Sequence, residues 1–151
     1  MARGYSVATA TVTVTEDIVI NGVDKSSSTT IALGSVAEVK TGIFNIPVDD
    51  AMILSFGADS AVESTLQAIQ YIRLTNLDTE RTQSLRFHAA EDTFGLLLAP
   101  GKSIILSSID MDADNANIAL GSLSFADMTE ITALSTGGVS DLEYYVIGGG
   151  G

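Results

Sequence analysis

Three places in this chain hold residue types at spacings that do chemistry in other proteins. The first is "GLLLAPGKSI", Gly95 to Ile104, where a glycine, a spacer and then Gly101-Lys102-Ser103 approach the pattern of a phosphate-cradling loop. That pattern needs four residues in the spacer, because the loop must wrap its backbone N–H groups around the phosphates and then start a helix. Here the spacer has five residues, Leu96 to Pro100, and "SIILSS" follows, an apolar β-branched run rather than a helix start. Pro100-Gly101 reads instead as a turn, with Pro setting φ at the second position and Gly supplying φ > 0 at the third. On this reading Lys102 marks the exit of a hairpin.

The second place is "DMDADNAN", Asp110 to Asn117, with Asp at alternate positions like the opening of a calcium loop. Its sixth position is Asn115 where the sharp turn needs Gly, and its twelfth is Gly121 where a bidentate Glu belongs. A solvated connection between strands is the expectation. The third is His88, the only histidine, in "LRFHAA". Leu85, Phe87 and Ala89 make the apolar side of that stretch, which puts His88 with Arg86 on the wetter side of one strand. A catalytic base there would need a nucleophile and an orienting acid converging on it, and no G-x-S-x-G nucleophile motif is present. Catalytic, cofactor-binding and metal-ligating residues are therefore all expected to be absent.

The elements that would carry these residues show mostly period two. "YSVATATVTVT" alternates small apolar residues with Thr from Tyr5 to Thr15, and Asn21-Gly22 follows as a tight turn. The polar stretch Ser26 to Thr30 is expected to form a hairpin tip. Short strands are expected at Val36–Lys40 and Ile43–Ile46, separated by Thr41-Gly42, and at Met52–Phe56. In "DSAVESTLQAIQ", Ser60 and Glu63 have the spacing of a capping box, so a loop or a single helical turn up to about Thr65 is expected before a strand begins. "YIRLTNL", "SLRFHAA", "FGLLLA", "KSIILSS", "EITALS" and "DLEYYVI" then read as strands separated by turn signals. The expected fold is all-β, an antiparallel β-sandwich or a Greek-key or jelly-roll-like barrel with at most one short helix. Residues 1–147 form one domain on this reading, and the terminal glycines, 148–151, a flexible tail.

Composition narrows the partners. A chain of 151 residues can bury a core without staples, in keeping with its lack of cysteine. Nineteen acids against seven bases leave a net charge of −12, and no Lys or Arg follows Lys102. Such a surface repels phosphate backbones, so nucleic acid is not an expected partner. No apolar run approaches a membrane span, and the start lacks the apolar stretch of a signal peptide.

One resemblance adds a function. "YIRLTNLDTERTQSLRFHAAEDTFGLLLAPGKSIILS" followed by "SDLEYYVIGGGG" resembles a group of small virion proteins of tailed phages, particularly phages of aquatic bacteria. The phrases that carry it are Arg73, Thr75, Asn76, Leu77 and Asp78; Asp92, Thr93 and Phe94; Pro100 and Gly101; and Leu142, Glu143 and Tyr144. They lie between Ile69 and Ile147; a single Pro precedes Gly101 where the group also has two, and the N-terminal half shows no match. The resemblance implies a non-enzymatic structural component of the virion: a capsid decoration or cement protein on the outside of the head, or alternatively a neck, tail or fibre-associated protein. The implied partners are the major capsid protein and further copies of the chain, with a trimer or other cyclic oligomer expected. A hydrolase or carbohydrate-binding domain is a third reading, disfavoured by the absence of Trp. Arg3 and Tyr5, an interface-prone pair opening an acidic chain, are the candidate partner contact.

If the Asp-rich connection is only solvated, thermal melts in calcium and in chelator should give the same Tm. A rise of several degrees in calcium, lost in Asp112→Ala, would instead reveal a metal site.

Overall fold

The computed structural model of the chain describes residues 8–55, 67–89, 92–107, 110–111, 123–124 and 129–149. By their contacts the residues divide into two units, Met1–Ala37 and Glu38–Gly151. Ser60, Glu63, Arg3, Tyr5 and residues 112–117 lie outside the described residues.

The first unit is a hairpin. Strand β1 (Ala8–Glu16) pairs antiparallel with the first half of β4 (Ser27–Ile46), from Ala8↔Val36 to Glu16↔Ser27. Between them β2 (Val19–Ile20) and β3 (Val23–Asp24) pair across Asn21-Gly22. Both turn residues have positive φ, 52° and 77°. That is the primed turn whose twist matches two-residue hairpins, and Asn and Gly are the residues that tolerate it. The expected tip at Ser26–Thr30 is corrected by this register: Ser27 to Thr30 are ladder residues facing Glu16 to Thr13, and the tip is Asn21-Gly22. Alternation survives in the burial, with Ala10, Val12 and Val14 half-buried between exposed threonines. No residue from Ala8 to Ala32 is fully buried.

The second unit is a sandwich of two antiparallel sheets. Its strands are the second half of β4, then β5 (Ala51–Ser55), β6 (Gln67–Asn76), β7 (Gln83–Ala89), β8 (Asp92–Leu98), β9 (Ser103–Ser107), β10 (Asp110–Met111), β11 (Leu123–Ser124), β12 (Glu130–Ser135) and β13 (Ser140–Gly149). One sheet has the order β4-β13-β6-β9 and the other β5-β12-β7-β8, with β10·β11 a separate two-stranded pair. The pairs nest: β7·β8 innermost, then β6·β9, then β5·β12, with β4·β13 outermost. This is one long hairpin rolled so that successive pairs fall in alternate sheets, the jelly-roll connectivity. None of the described residues is helical.

Why these residues roll this way follows from their inward positions. Ile46, Ile72, Leu74, Leu142 and Val146 from one sheet meet Leu54, Leu85, Phe87, Leu98, Ile131 and Ala133 from the other, all in one buried cluster. Each fully buried aliphatic or aromatic side chain contributes about 1.5–3 kcal/mol relative to exposure. Phe87 faces Phe94 across the β7·β8 ladder with ring centroids 6.0 Å apart.

The expected break at Thr41-Gly42 is also corrected, because β4 runs unbroken from Ser27 to Ile46. Gly42 is there for packing: a Cβ would sit 2.6 Å from the Tyr144 hydroxyl, so the bare backbone accommodates that side chain from the neighbouring strand. At the other end of the chain, β13 continues through Gly148 and Gly149, which face Ile69 and Gln67, so strand structure reaches into the glycine run.

Pro100-Gly101 is a turn, but it does not close a hairpin. Lys102 N–H donates to Ala99 C=O at 3.1 Å and Gly101 has φ +71°, the geometry of a Pro-Gly type II turn. The strands it joins lie in different sheets, β8 beside β7 and β9 beside β6, so the turn is a crossover. It is held from β6: Asn76 N–H donates to Lys102 C=O at 2.9 Å, and Gly101 N–H to Asn76 C=O at 3.1 Å. Gly101→Val should therefore lower stability by at least about 1 kcal/mol through strain at positive φ. Chemical denaturation with an unchanged midpoint would contradict this.

Candidate functional site

The residues singled out for chemistry are each engaged structurally. Lys102 follows the crossover turn with its backbone bonded to Ala99 and Asn76, and no helix begins there. His88 lies on the outer side of β7 with Arg86, as expected. Its Nε2 is 2.9 Å from Thr132 Oγ1 and its Nδ1 3.3 Å from Thr93 Oγ1, hydroxyls of the strands on either side. Arg86 faces Asp50 at 3.7 Å, a surface pair of small energetic weight. Asp110 is a ladder residue opposite Ser124. Among the described residues no group of three or more His, Asp or Glu side chains is arranged to hold a metal ion.

The densest polar chemistry lies where the crossover turns meet. Asn76 is fully buried, and its Nδ2 donates to the carbonyls of Arg81 at 2.8 Å and Leu98 at 3.0 Å, while its Oδ1 accepts from Asp78 N–H at 2.9 Å. Asp78 continues the network. Its Oδ1 accepts from the backbone N–H groups of Glu80 and Arg81, both at 2.7 Å, and its Oδ2 pairs with Arg81 Nη1 at 3.3 Å. Arg81 Nε reaches Gly137 C=O at 3.4 Å on the β12–β13 connection. Nearby, buried Gln83 donates through Nε2 to Ser140 Oγ at 2.9 Å and Asp141 C=O at 3.0 Å, and Ser135 and Ser140 hydroxyls meet at 2.6 Å. The phrase Thr75-Asn76-Leu77-Asp78 is thus a lock for loops.

An open concavity of about 320 Å³ lies on the sheet that holds β4 and β13, lined by Thr41, Gly42, Ile43, Arg73, Glu143, Tyr144 and Tyr145. Arg73 dominates it. Its Nη2 is 3.1 Å from Glu143 Oε1, and its guanidinium lies 5.6 Å from the centre of the Tyr145 ring. Tyr145 stands edge-on to Tyr71, whose hydroxyl pKa is pushed up by burial. The charge that would attract an anion is already matched by Glu143 and the ring face. Sequence reasoning did not assemble this cluster. Arg73, Tyr145 and Glu143 come from strands far apart in the chain, and only the β6·β13 register, Arg73↔Tyr145 and Thr75↔Glu143, unites them.

A second feature lies outside the sandwich sheets, on the loop that Asn21-Gly22 turns. The tip around Asn21-Gly22 carries exposed Ile18, Val19, Ile20 and Val23.

Compared with protein families, curated proteins and solved structures, the chain matches none. The jelly-roll assignment therefore stands on strand order alone.

The Asp78 bonds have a pH consequence. Two backbone N–H bonds, from Glu80 first and then Arg81, hold its carboxyl below the usual carboxylate range against a smaller opposing effect of desolvation, with help from the Arg81 side chain. A lowered native pKa means stability that is present above the ordinary carboxylate pKa and is lost as pH falls through the lowered one. Asp78→Asn should lower Tm at neutral pH, and the gap to the wild type should close as the solution is acidified. A gap independent of pH would show that the carboxylate charge is immaterial.

Proposed function

We propose that this chain is a non-enzymatic structural protein of a tailed-phage virion, a decoration protein that binds the outside of the head as a cyclic homo-oligomer, with a trimer the expected form. The observation that carries this reading is the N-terminal hairpin, in which no residue from Ala8 to Ala32 is fully buried. A two-stranded hairpin is at best marginally stable alone in water, so a ribbon of this length calls for another surface to lie against. The sandwich adds exposed edges of its own. β8 and β9 each end a sheet, and Leu97 on β8 is 73 % exposed. Edge strands of this kind are covered when copies pair side by side or when the protein sits on a shell.

The jelly roll is a fold used for capsid and lectin domains alike, so the fold supports assembly without choosing it over sugar binding. The polar chemistry favours assembly: Arg73 is matched by Glu143 and Tyr145, and His88 by two threonines. An acidic exterior with net charge −12 suits a particle surface and disfavours nucleic acid as partner.

Copy number tests the reading. Quantitative gel densitometry of purified particles should find the protein in hundreds of copies on heads. Tens of copies or fewer, recovered only with purified tails, would replace the head assignment with a neck, tail or fibre role.

A further inference from the structure

We propose that the hairpin tip, Ile18 to Val23, is the docking element of this protein, and that it inserts into an apolar pocket rimmed by lysine or arginine on a different protein. The inference rests on the decoration reading, under which that protein is the major capsid protein.

The tip is built to hold a shape. Ile18 C=O accepts from Lys25 N–H at 2.7 Å, and Ser26 Oγ accepts from Ile18 N–H at 3.0 Å while donating to Asp17 Oδ1 at 3.0 Å. Asp24 Oδ1 accepts from Ser26 N–H at 2.8 Å. With both Asn21 and Gly22 at positive φ, the loop is closed by its own polar groups. What those groups leave outward is apolar: Ile18 is 43 % exposed, Val19 66 %, Ile20 57 % and Val23 52 %. Ile20 and Val23 face each other across the ladder on one side of the tip and Val19 lies opposite Asp24 on the other, so apolar side chains cover both sides of a tip that enters a pocket, unlike the scattered exposed Leu or Val of an ordinary surface. The polar side chains of Asp17, Asp24 and Ser26 rigidify the base and remove nothing from the apolar end.

Charge selects the occupant. Glu16, Asp17 and Asp24 ring the base of the tip against the single Lys25, all exposed, so the complementary pocket has a basic rim. A second copy of this chain, with the same net charge of −12, is a poor source of one. Three of its seven basic residues, Arg73, Arg81 and Arg86, each face a carboxylate at 3.1, 3.3 and 3.7 Å. An anionic lipid surface would repel the same collar.

The test uses the full chain and undecorated shells purified from the phage whose virion carries it, with purified tails and neutral and anionic lipid vesicles as parallel probes. The double variant Val19→Ser, Ile20→Ser should bind shells at least tenfold more weakly than the wild type, with unchanged Tm and oligomeric state, because both side chains are exposed before binding. Raising the salt should weaken wild-type binding, and Glu16→Gln should flatten that dependence. Equal binding by the double variant overturns the tip, as does a loss of oligomerisation in it, which would make the tip a self-interface. Tip-dependent binding to either kind of vesicle overturns it too. Tip-dependent binding to tails alone leaves the docking element standing and removes the head assignment. Wild-type binding to neither shells nor tails removes both.

Discussion

The buried amide of Asn76 is the interaction on which the closing of the sandwich depends. In a rolled hairpin most connections cross from one sheet to the other, and at each crossing the backbone leaves its ladder with N–H and C=O groups unpaired. Asn76 gathers those groups from three directions. Its side chain binds the β6–β7 connection at Asp78 and Arg81 and the end of β8 at Leu98, while its backbone binds the Pro100-Gly101 turn. The next residue, Leu77, donates to Asp141 at the start of β13 at 3.0 Å. Each such bond adds only about 0.5–1.5 kcal/mol net, but leaving a buried partner unpaired costs about 1–3 kcal/mol. An apolar residue at this position would strand three partners at once. The amide is required because a carboxylate lacks the two donors that reach Arg81 and Leu98.

With the turns locked from within, the outer faces are left to packing between side chains and to partners. The arginines show the pattern. Arg73, Arg81 and Arg86 lie on different parts of the sandwich, each beside its own carboxylate, so each of these three guanidinium charges is matched where it arises. An acidic excess remains, a net charge of −12 over the whole chain. A chain arranged this way presents repulsion to most of its surroundings and attraction at selected apolar places, a distribution that favours specificity over general adhesiveness.

Local chemistry was legible in the sequence where a turn or strand is decided by its own residues. Asn21-Gly22 and Pro100-Gly101 are turns because only those residue types fit the required φ, and β7 shows the predicted division between Leu85 and Phe87 inside and Arg86 and His88 outside. What was not legible depends on partners distant in the chain. Thr41-Gly42 looks like a break until Tyr144 is placed over Gly42. A Pro-Gly between two apolar runs looks like a hairpin, and only the pairing of β8 with β7 and β9 with β6 shows a crossover. The phrase Asn76 to Thr79 reads as a turn, but Asn76 ends β6, and its side chain and the backbone beside it bind Leu98 of β8 and Asp141 of β13, residues distant in the chain. The Arg73 cluster likewise exists only through strand register.

The hairpin tip brings local and distant constraints together. Its conformation is set within ten residues, by a primed turn and by Asp17, Asp24 and Ser26, so it does not rely on the sandwich core to keep its shape. The entropy of ordering a loop is a large part of what weakens most peptide-like contacts, at roughly 1–2 kcal/mol per residue of backbone. A loop already closed by its own side chains loses little of that on docking. On the docking proposed above, its exposed isoleucines and valines would contribute their burial almost undiminished, which would let a short tip on an acidic protein carry an attachment that its net charge of −12 resists.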